Sequence, residues 1–136
     1  MPRTRNLFIS HAWSYTDAYD RLCGLLNAAS DFSYRNYSVP RDSPVHNAPN
    51  SQALYDAIKA RMQWAEVVLI MAGKYSTYSQ WIQKEIRIAK SDFRKPILAI
   101  KPWANTQVSS VVRLNADRLV SWNTKSITTA VRELSP

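Results

Sequence analysis

The sequence is poor in glycine, and this scarcity excludes two familiar nucleotide-binding motifs. Only Gly24 and Gly73 occur among its 136 residues. The dinucleotide-binding Gly-x-Gly-x-x-Gly turn and the P-loop both need several closely spaced glycines, so neither motif is present. The phosphate groups of a ligand would have to bind at a helix N-terminus, with help from arginine or lysine side chains. Arg41, in a proline-rich segment, is a candidate for that role.

Cysteine and histidine are equally scarce. Cys23 is the only cysteine, which rules out a disulfide within the chain. Its position on the apolar side of a predicted helix indicates a buried thiol and not a nucleophile. Because Cys23, His11 and His46 are widely spaced, no metal site is expected. These observations agree with a protein of the reducing cytoplasm.

Long apolar runs are missing too. No run approaches the ~18 residues that a membrane-spanning helix requires. The N-terminus is basic, but the apolar segment that follows it, residues 7–9, is too short for the core of a signal peptide. We therefore expect no membrane partner. A length of 136 residues suits one domain, so residues 1–136 are expected to form a single domain.

Acidic residues are few: the chain has 10 Asp+Glu against 18 Lys+Arg, which gives a formal net charge of +8. Such a charge permits a polyanionic partner without selecting one. The densest basic group lies on one predicted helix and consists of Lys84, Arg87, Lys90, Arg94 and Lys95. Its spacing favours a solvated helix face. Since the positive charge is not grouped with aromatic residues, nucleic acid is not expected as a partner.

Apolar patterning indicates strands that alternate with helices. Runs typical of strands occupy residues 6–10, 32–37, 66–72, 96–100 and 118–122. Helical spacing predicts a first helix capped by Thr16 or Asp17 and a second that opens at Asn50 or Ser51. A third helix follows a capping box formed by Thr77 and Gln80, a short helix is expected within residues 108–114, and the last helix is expected to be capped by Thr124 or Ser126. Residues 38–49 contain three prolines and predict a loop. This order predicts an α/β fold: a flavodoxin-like three-layer sandwich with a five-stranded parallel sheet of order 2-1-3-4-5.

Glu85 stands out among the carboxylates. On a helix it lies about 60° from the line through Ile82, Ile86 and Ala89, which we take as the buried centre, so it is expected to border the core. Trp81 lies four residues earlier and shares its face. An aromatic ring beside a carboxylate, near the carboxyl edge of a parallel sheet, could bind a sugar-bearing nucleotide. A half-buried glutamate paired with an arginine or a helix end is the simpler interpretation, and the pattern alone leaves both open.

Residues 79–86 read Ser-Gln-Trp-Ile-Gln-Lys-Glu-Ile and resemble the Ser-x-Trp-Cys-x-x-Glu block of TIR domains, with isoleucine in place of cysteine. The bacterial TIR-like subgroup that includes the Thoeris antiphage defence proteins tends to have an apolar residue there. That subgroup continues with Glu-Ile-x-x-Ala and later Pro-Ile, as residues 85–89 and 96–97 do. Residues 7–12 resemble the first TIR box, Phe-Ile-Ser-Tyr. Residues 41–44 resemble the Arg-Asp-x-x-Pro-Gly loop motif, with an early proline and no glycine.

The resemblance implies an enzyme that cleaves the nicotinamide–ribose bond of NAD and makes a cyclic or modified ADP-ribose signal in antiphage defence. NAD would be the substrate, with no separate cofactor, and Glu85 would be the catalytic residue. The substrate-binding residues that it implies are Phe8, Ser10, His11, Arg41, Ser79 and Trp81. It also implies self-association through TIR–TIR contacts, and a separate effector protein that responds to the nucleotide product.

Three other functions are compatible with the sequence. TIR folds also serve as non-catalytic interaction modules in signalling, and the missing loop glycine together with Ile82 keeps that alternative open. A nucleic-acid or nucleotide-binding protein that uses the positive charge would bind in a strongly salt-dependent way. A nucleoside-processing transferase of similar fold would likewise place a carboxylate beside a ribose.

Overall fold

Five parallel strands form one sheet. The computed structural model describes residues 3–10, 18–37, 51–72, 80–101 and 110–136. The strands are β1 (Arg5–Ile9), β2 (Tyr34–Asn36), β3 (Val67–Met71), β4 (Ile97–Ile100) and β5 (Arg118–Val120). Each pairs in parallel with its neighbours in the order β2-β1-β3-β4-β5. The predicted strand order is therefore confirmed.

Helices cover both faces of the sheet. They are α1 (Ala18–Asn27), α2 (Ser51–Met62), α3 (Gln80–Arg87), α4 (Ser110–Asn115) and α5 (Thr124–Leu134). One apolar cluster joins the sheet to α2, α3 and α4, and a second cluster joins it to α1 and α5. This arrangement is the three-layer sandwich predicted from the sequence. In the part of the chain that the structure describes, no helix is long and apolar enough to cross a membrane.

The central strand β3 is buried along its whole length. Each of its residues is apolar and at most 3% exposed, because β1 and β4 flank it and helices cover both of its faces. Uninterrupted apolar sequence is what a doubly covered parallel strand requires. The neighbouring strand β1 shows the alternation that assigns residues to layers. Phe8 belongs to the cluster beneath α2 and α3, whereas Leu7 and Ile9 belong to the cluster beneath α1 and α5.

Helix α3 does not end at Arg87 but continues as a π-helical turn, Ile88–Asp92. The N–H of Phe93 donates to the carbonyl of Ile88 at 3.1 Å, five residues back, as a π-helix requires. Arg94 then has a φ of 56°, in the left-handed region where glycine is favoured. The sequence pattern predicted a continuous α-helix here, since periodicity analysis assumes the regular 3.6-residue turn.

Ionic and hydrogen-bonded contacts secure the amino edge of the sheet. The carboxylate of Glu66, just before β3, accepts hydrogen bonds from the backbone N–H of Asn6 at 2.9 Å and from Arg3 at 2.6 Å. Arg5 reaches the end of α5, where its Nε donates to the hydroxyl of Ser135 at 3.0 Å. These contacts fix the start of β1 against both its neighbour strand and the helix on its other face.

Lys95 belongs to this edge and not to the solvated helix face to which its sequence position assigned it. Its ammonium group donates to the backbone carbonyls of Met62, Gln63 and Ala65, at 2.9, 2.7 and 2.6 Å. The last carbonyls of a helix lack partners within the helix, and a cation there also meets the negative end of the helix dipole. Burial lowers the pKa of this ammonium group. Lys95 therefore acts as the C-terminal cap of α2.

Two local predictions are wrong. The N-cap of α5 is Asn123, whose side-chain oxygen accepts from the N–H of Ser126 at 2.8 Å; neither Thr124 nor Ser126 is the cap. Asparagine caps as well as serine or threonine, so composition alone did not distinguish these neighbours. The Thr124 hydroxyl instead donates to the carbonyl of Leu25 at 2.7 Å and links α5 to α1. Cys23 is half-buried rather than buried, at the margin of the core.

Replacing Arg94 by glycine should stabilise the fold. The change relieves about 1–2 kcal/mol of left-handed strain and loses about 0.5–1 kcal/mol through a more flexible unfolded chain. We expect urea unfolding at pH 7 to show a net gain of about 0.5–1 kcal/mol. The control is Arg113→Gly within α4, which should lose about 1 kcal/mol. A destabilised Arg94→Gly variant would mean that the arginine side chain contributes more than its backbone strain costs.

Glu66 should contribute stability that is lost in acid. Burial by itself raises its pKa, but the hydrogen bonds from Asn6 and Arg3 outweigh burial and hold the pKa below the ordinary value of 4.5. The unfolded chain therefore binds the proton more readily, so the contribution is fully present above pH 4.5 and disappears as the pH falls through the folded-state pKa.

We expect Glu66→Gln to lower the free energy of unfolding at pH 7 by about 1 kcal/mol. Urea titrations at a series of pH values should show the difference from the wild type shrinking below pH 4.5. Glu133→Gln, which removes an exposed partner of Arg118, is the matched control and should change stability by less than about 0.5 kcal/mol. A difference that grows in acid would contradict the assignment.

Candidate functional site

Glu85 lies in the core of the α2–α4 layer. It is 1% exposed, and among the described residues it is the only ionisable side chain in the buried set. Its Oε1 atom is buried without a hydrogen-bond partner among those residues, although the side chain has other interactions. The sequence predicted a glutamate that borders the core, and the structure buries it more deeply. A carboxyl group withdrawn from water carries a desolvation cost, which marks Glu85 as a candidate for function.

The additional burial follows from the residues after Glu85. The spacing argument took Ile82, Ile86 and Ala89 as the buried stripe, but Ile88 is also 0% exposed. At about 100° per residue, including Ile88 widens the buried arc and moves its centre to within about 20° of Glu85. Ile88 begins the π-helical turn. An additional isoleucine beside the predicted stripe was the available sequence signal, and the regular helical period gave it too little weight.

Phe8 and Ser10 lie on the same side of the sheet as α3. Phe8 is 1% exposed and shares a core cluster with Ile82 and Ile86 of α3. Ser10 follows β1, is 0% exposed, and continues the ladder by donating its N–H to the carbonyl of Leu69 at 3.0 Å. Because strand residues two apart face the same way, Ser10 faces the same layer as Phe8 and lies two residues nearer the carboxyl edge. The structure thus places Phe8, Ser10 and Glu85 in one layer.

The remaining predicted site residues are not all covered by the structure. His11, Arg41 and Ser79 lie outside the described residues. Trp81 belongs to the first turn of α3, so its backbone is placed one helical turn before Glu85, but its side chain is outside the description. Thr77 of the predicted capping box also lies outside, while Gln80 is the first residue of α3.

Positive charge is available at the carboxyl edge. Lys101 follows β4 directly, is exposed, and is held in place by the hydrogen bond from its N–H to the carbonyl of Val120 at 2.9 Å. The sequence analysis did not single it out, because one lysine after a strand carries no distinctive signal. On α3 itself Lys84 is half-buried and Arg87 is exposed. Of these cations, Lys101 lies at the carboxyl edge itself and would favour an anionic ligand there.

An open groove of about 430 Å³ lies elsewhere, at the outer edge of the sheet. It is lined by β5 and the first half of α5, including Leu119, Lys125 and Thr129. None of the residues predicted for the site lines it. The groove is therefore separate from the Glu85 site, and the residues that line it do not indicate a particular reaction.

Comparison with known proteins gives matches of two kinds. The family model for the TIR-like domain of the Thoeris protein ThsB matches residues 8–107. Among solved structures, the chain is similar to the response regulator domain of Thermotoga maritima CheB, with a TM-score of 0.56 and 7% sequence identity. That alignment covers 97% of this chain and 96% of the other. No curated protein matches the sequence.

The structural match concerns the fold alone, since an identity of 7% leaves little of the side-chain chemistry in common. It agrees with the flavodoxin-like sheet order. A receiver domain needs an acidic cluster after its first strand, and this chain has Ser10 and His11 at that point. The family match, by contrast, covers the last two residues of β1, the strands β2 to β4 and the helices α1 to α3, and so includes Phe8, Ser10 and Glu85.

Truncating Ile88 should test the buried arc around Glu85. If Ile88 is a core residue, Ile88→Ala should lower the free energy of unfolding by about 2–4 kcal/mol in urea titrations at pH 7. Ser91→Ala, an exposed position on the same π-helical turn, is the control and should stay within about 0.5 kcal/mol of the wild type. A loss below about 1 kcal/mol for Ile88→Ala would mean that the residue lies at the periphery of the core.

Proposed function

The chain belongs to the TIR-like family of the Thoeris protein ThsB, a family of antiphage defence, and from this premise we propose that it is an NAD-processing enzyme. In the proposed reaction it cleaves the nicotinamide–ribose bond of NAD and makes a cyclic or modified ADP-ribose signal. NAD is the substrate, and the reaction needs neither a metal nor a separate cofactor.

The observation that carries this proposal is the burial of Glu85 on α3. The residue is 1% exposed, in the layer that also contains Phe8 and Ser10, on the helix that follows the central strand β3. In open α/β sheets, ligands bind outside the carboxyl ends of the strands. A carboxylate held in an apolar layer near that edge interacts strongly with a developing positive charge, because little water is present to screen it.

The chemistry needs only one carboxylate. Nicotinamide leaves as a neutral ring, so no general acid has to protonate it. As the bond to nitrogen breaks, C1 of the ribose gains positive charge and the transition state resembles an oxocarbenium ion. In our proposal the carboxylate of Glu85 stabilises this charge and holds the ribose hydroxyl groups. Water, or another nucleophile positioned by the site, then forms the new bond to C1.

The other proposed contacts follow the family resemblance. Ser10 and Phe8, both buried at or near the end of β1, are proposed to bind the nucleotide there. Trp81 is proposed to stack on a ring of the substrate or to wall the pocket. His11, Arg41 and Ser79 are proposed as further substrate-binding residues that lie outside the described part of the chain.

The proposal extends to the cellular setting. The protein is proposed to act in the cytoplasm, to self-associate through TIR–TIR contacts, and to signal to a separate effector protein through its nucleotide product. The formal net charge of +8 suits an anionic substrate such as NAD, but it does not distinguish NAD from other anions.

Replacing Glu85 by glutamine should abolish turnover. The change keeps the shape of the side chain and removes its charge, so we expect nicotinamide release from NAD to fall by about 10³-fold or more. Concentrated wild-type and variant proteins would be incubated with NAD and analysed by chromatography. Glu133→Gln is the matched control, because Glu133 lies on α5, is exposed, and pairs with Arg118 of β5. It should retain wild-type activity.

Two results would contradict the proposal in different ways. Equal turnover by the wild type and Glu85→Gln would show that another residue performs the chemistry. If neither the purified wild type nor the same protein in a lysate of phage-infected cells released nicotinamide, the non-catalytic interaction module would become the better assignment.

A further inference from the structure

A set of polar and aromatic contacts joins α2 to the end of α3 across the protein surface. The Tyr55 hydroxyl donates a hydrogen bond to Oδ2 of Asp92, the last residue of the π-helical turn. The ammonium group of Lys59, one turn further along α2, lies 3.6 Å from the same oxygen. We call Tyr55, Lys59 and Asp92, together with the stacked residues Arg87 and Phe93, the α2–α3 clamp.

Cation–π contacts extend the clamp on both sides of Asp92. The guanidinium group of Arg87 lies 5.7 Å from the centre of the Tyr55 ring, and the ammonium group of Lys59 lies 5.7 Å from the centre of the Phe93 ring. The ammonium group of Lys95, which caps α2, lies 4.9 Å from the same Phe93 ring. The clamp therefore contacts the residue before the π-helical turn, the last residue within it and the residue after it.

The pKa shifts of Asp92 and Tyr55 favour the hydrogen bond between them. The hydrogen bond from Tyr55, followed by the charge of Lys59, outweighs burial and lowers the pKa of Asp92. The same hydrogen bond raises the pKa of Tyr55. Both shifts favour the pair in which aspartate is charged and tyrosine is neutral, so the contact is complete at neutral pH.

A π-helical turn needs such support from its surroundings. Its hydrogen bonds are less favourable than those of an α-helix, and π-turns persist where tertiary contacts or function maintain them. Two residues after the turn, Arg94 adopts the left-handed backbone conformation, which adds a local conformational cost. On the inner side, Ile88 and Ala89 are buried in the core. On the outer side, the clamp is the set of contacts that fixes the last residues of the turn to α2.

The π-helical turn directly continues the helix that carries Glu85. The turn begins three residues after Glu85, and the burial of Ile88 at its start sets the buried arc near whose centre Glu85 lies. We propose that Asp92 is a positioning residue: through Tyr55 and Lys59 it holds the π-helical register of α3, and this register keeps Glu85 buried in the orientation for reaction. The role in reaction rests on the proposed function; the structural link does not.

The test compares four variants by amide hydrogen exchange and by NAD turnover. Asp92→Ala and Tyr55→Phe remove the hydrogen bond, whereas Asp92→Asn keeps an oxygen that can accept it. Asp56→Ala is the matched control, since this carboxylate lies beside Tyr55 on α2 and bonds to Gln52 instead. Amides of β3 report global unfolding, because that strand is fully buried.

We expect exchange of the amides from Ile82 to Phe93 to accelerate about tenfold in Asp92→Ala and Tyr55→Phe, with β3 unchanged. Asp92→Asn should restore most of the protection, and Asp56→Ala should match the wild type. In a protein that releases nicotinamide, kcat should fall about tenfold in the first two variants with little change in KM, and the unchanged protection of β3 excludes a loss of folded protein as the cause.

Unchanged exchange around Glu85 in Asp92→Ala would overturn the proposal whatever the activity. Faster exchange with an unaltered kcat in an active protein would overturn it as well, because the clamp would then be structural only. If the wild type releases no nicotinamide, the proposed function fails, and the exchange measurement alone decides whether Asp92 holds the register of α3.

Discussion

Complete burial of the central parallel strand is the constraint on which the structure depends. β3 is apolar throughout, and helices cover it on both faces. A polar side chain within such a strand would be withdrawn from water with few partners, at a cost of several kcal/mol. Polar chemistry is therefore confined to the edges of the sheet, where the strands end, and to the helices that cover those edges. Ser10 and Glu85 occupy such positions.

The two edges use their polar residues differently. At the amino edge, Glu66 binds Arg3 and a backbone N–H, and Lys95 binds the carbonyl groups that end α2. Asp117 accepts from the N–H of Ile97 at 2.7 Å and pairs with Lys90. These charges hold strand ends to helix ends, and their hydrogen-bonding capacity serves the fold. At the carboxyl edge Ser10 is buried and Lys101 is exposed, so the lysine can meet an anionic ligand there.

Much of this architecture could be predicted from the sequence, for a physical reason. Strands buried on both faces need apolar runs, and those runs, separated by helical patterns, predict the sheet order. The π-helical turn could not be predicted, because periodicity analysis assumes a regular helix and Ile88 falls outside its stripe. The role of Lys95 depends on carbonyl groups about thirty residues away, which no local pattern contains. The sequence predicted that Glu85 borders the core, and it underestimated only how deeply the side chain is buried.

Glu85 is the only ionisable side chain that is buried among the described residues. Its helix places isoleucine at 82, 86 and 88, so the same layer readily accepts apolar side chains. Replacing a buried charge by an apolar residue of similar volume is often neutral or stabilising, so packing alone does not call for a glutamate at this position. The fold supplies the apolar layer around Glu85, and in such a layer a single charge has a large effect because little water is present to screen it.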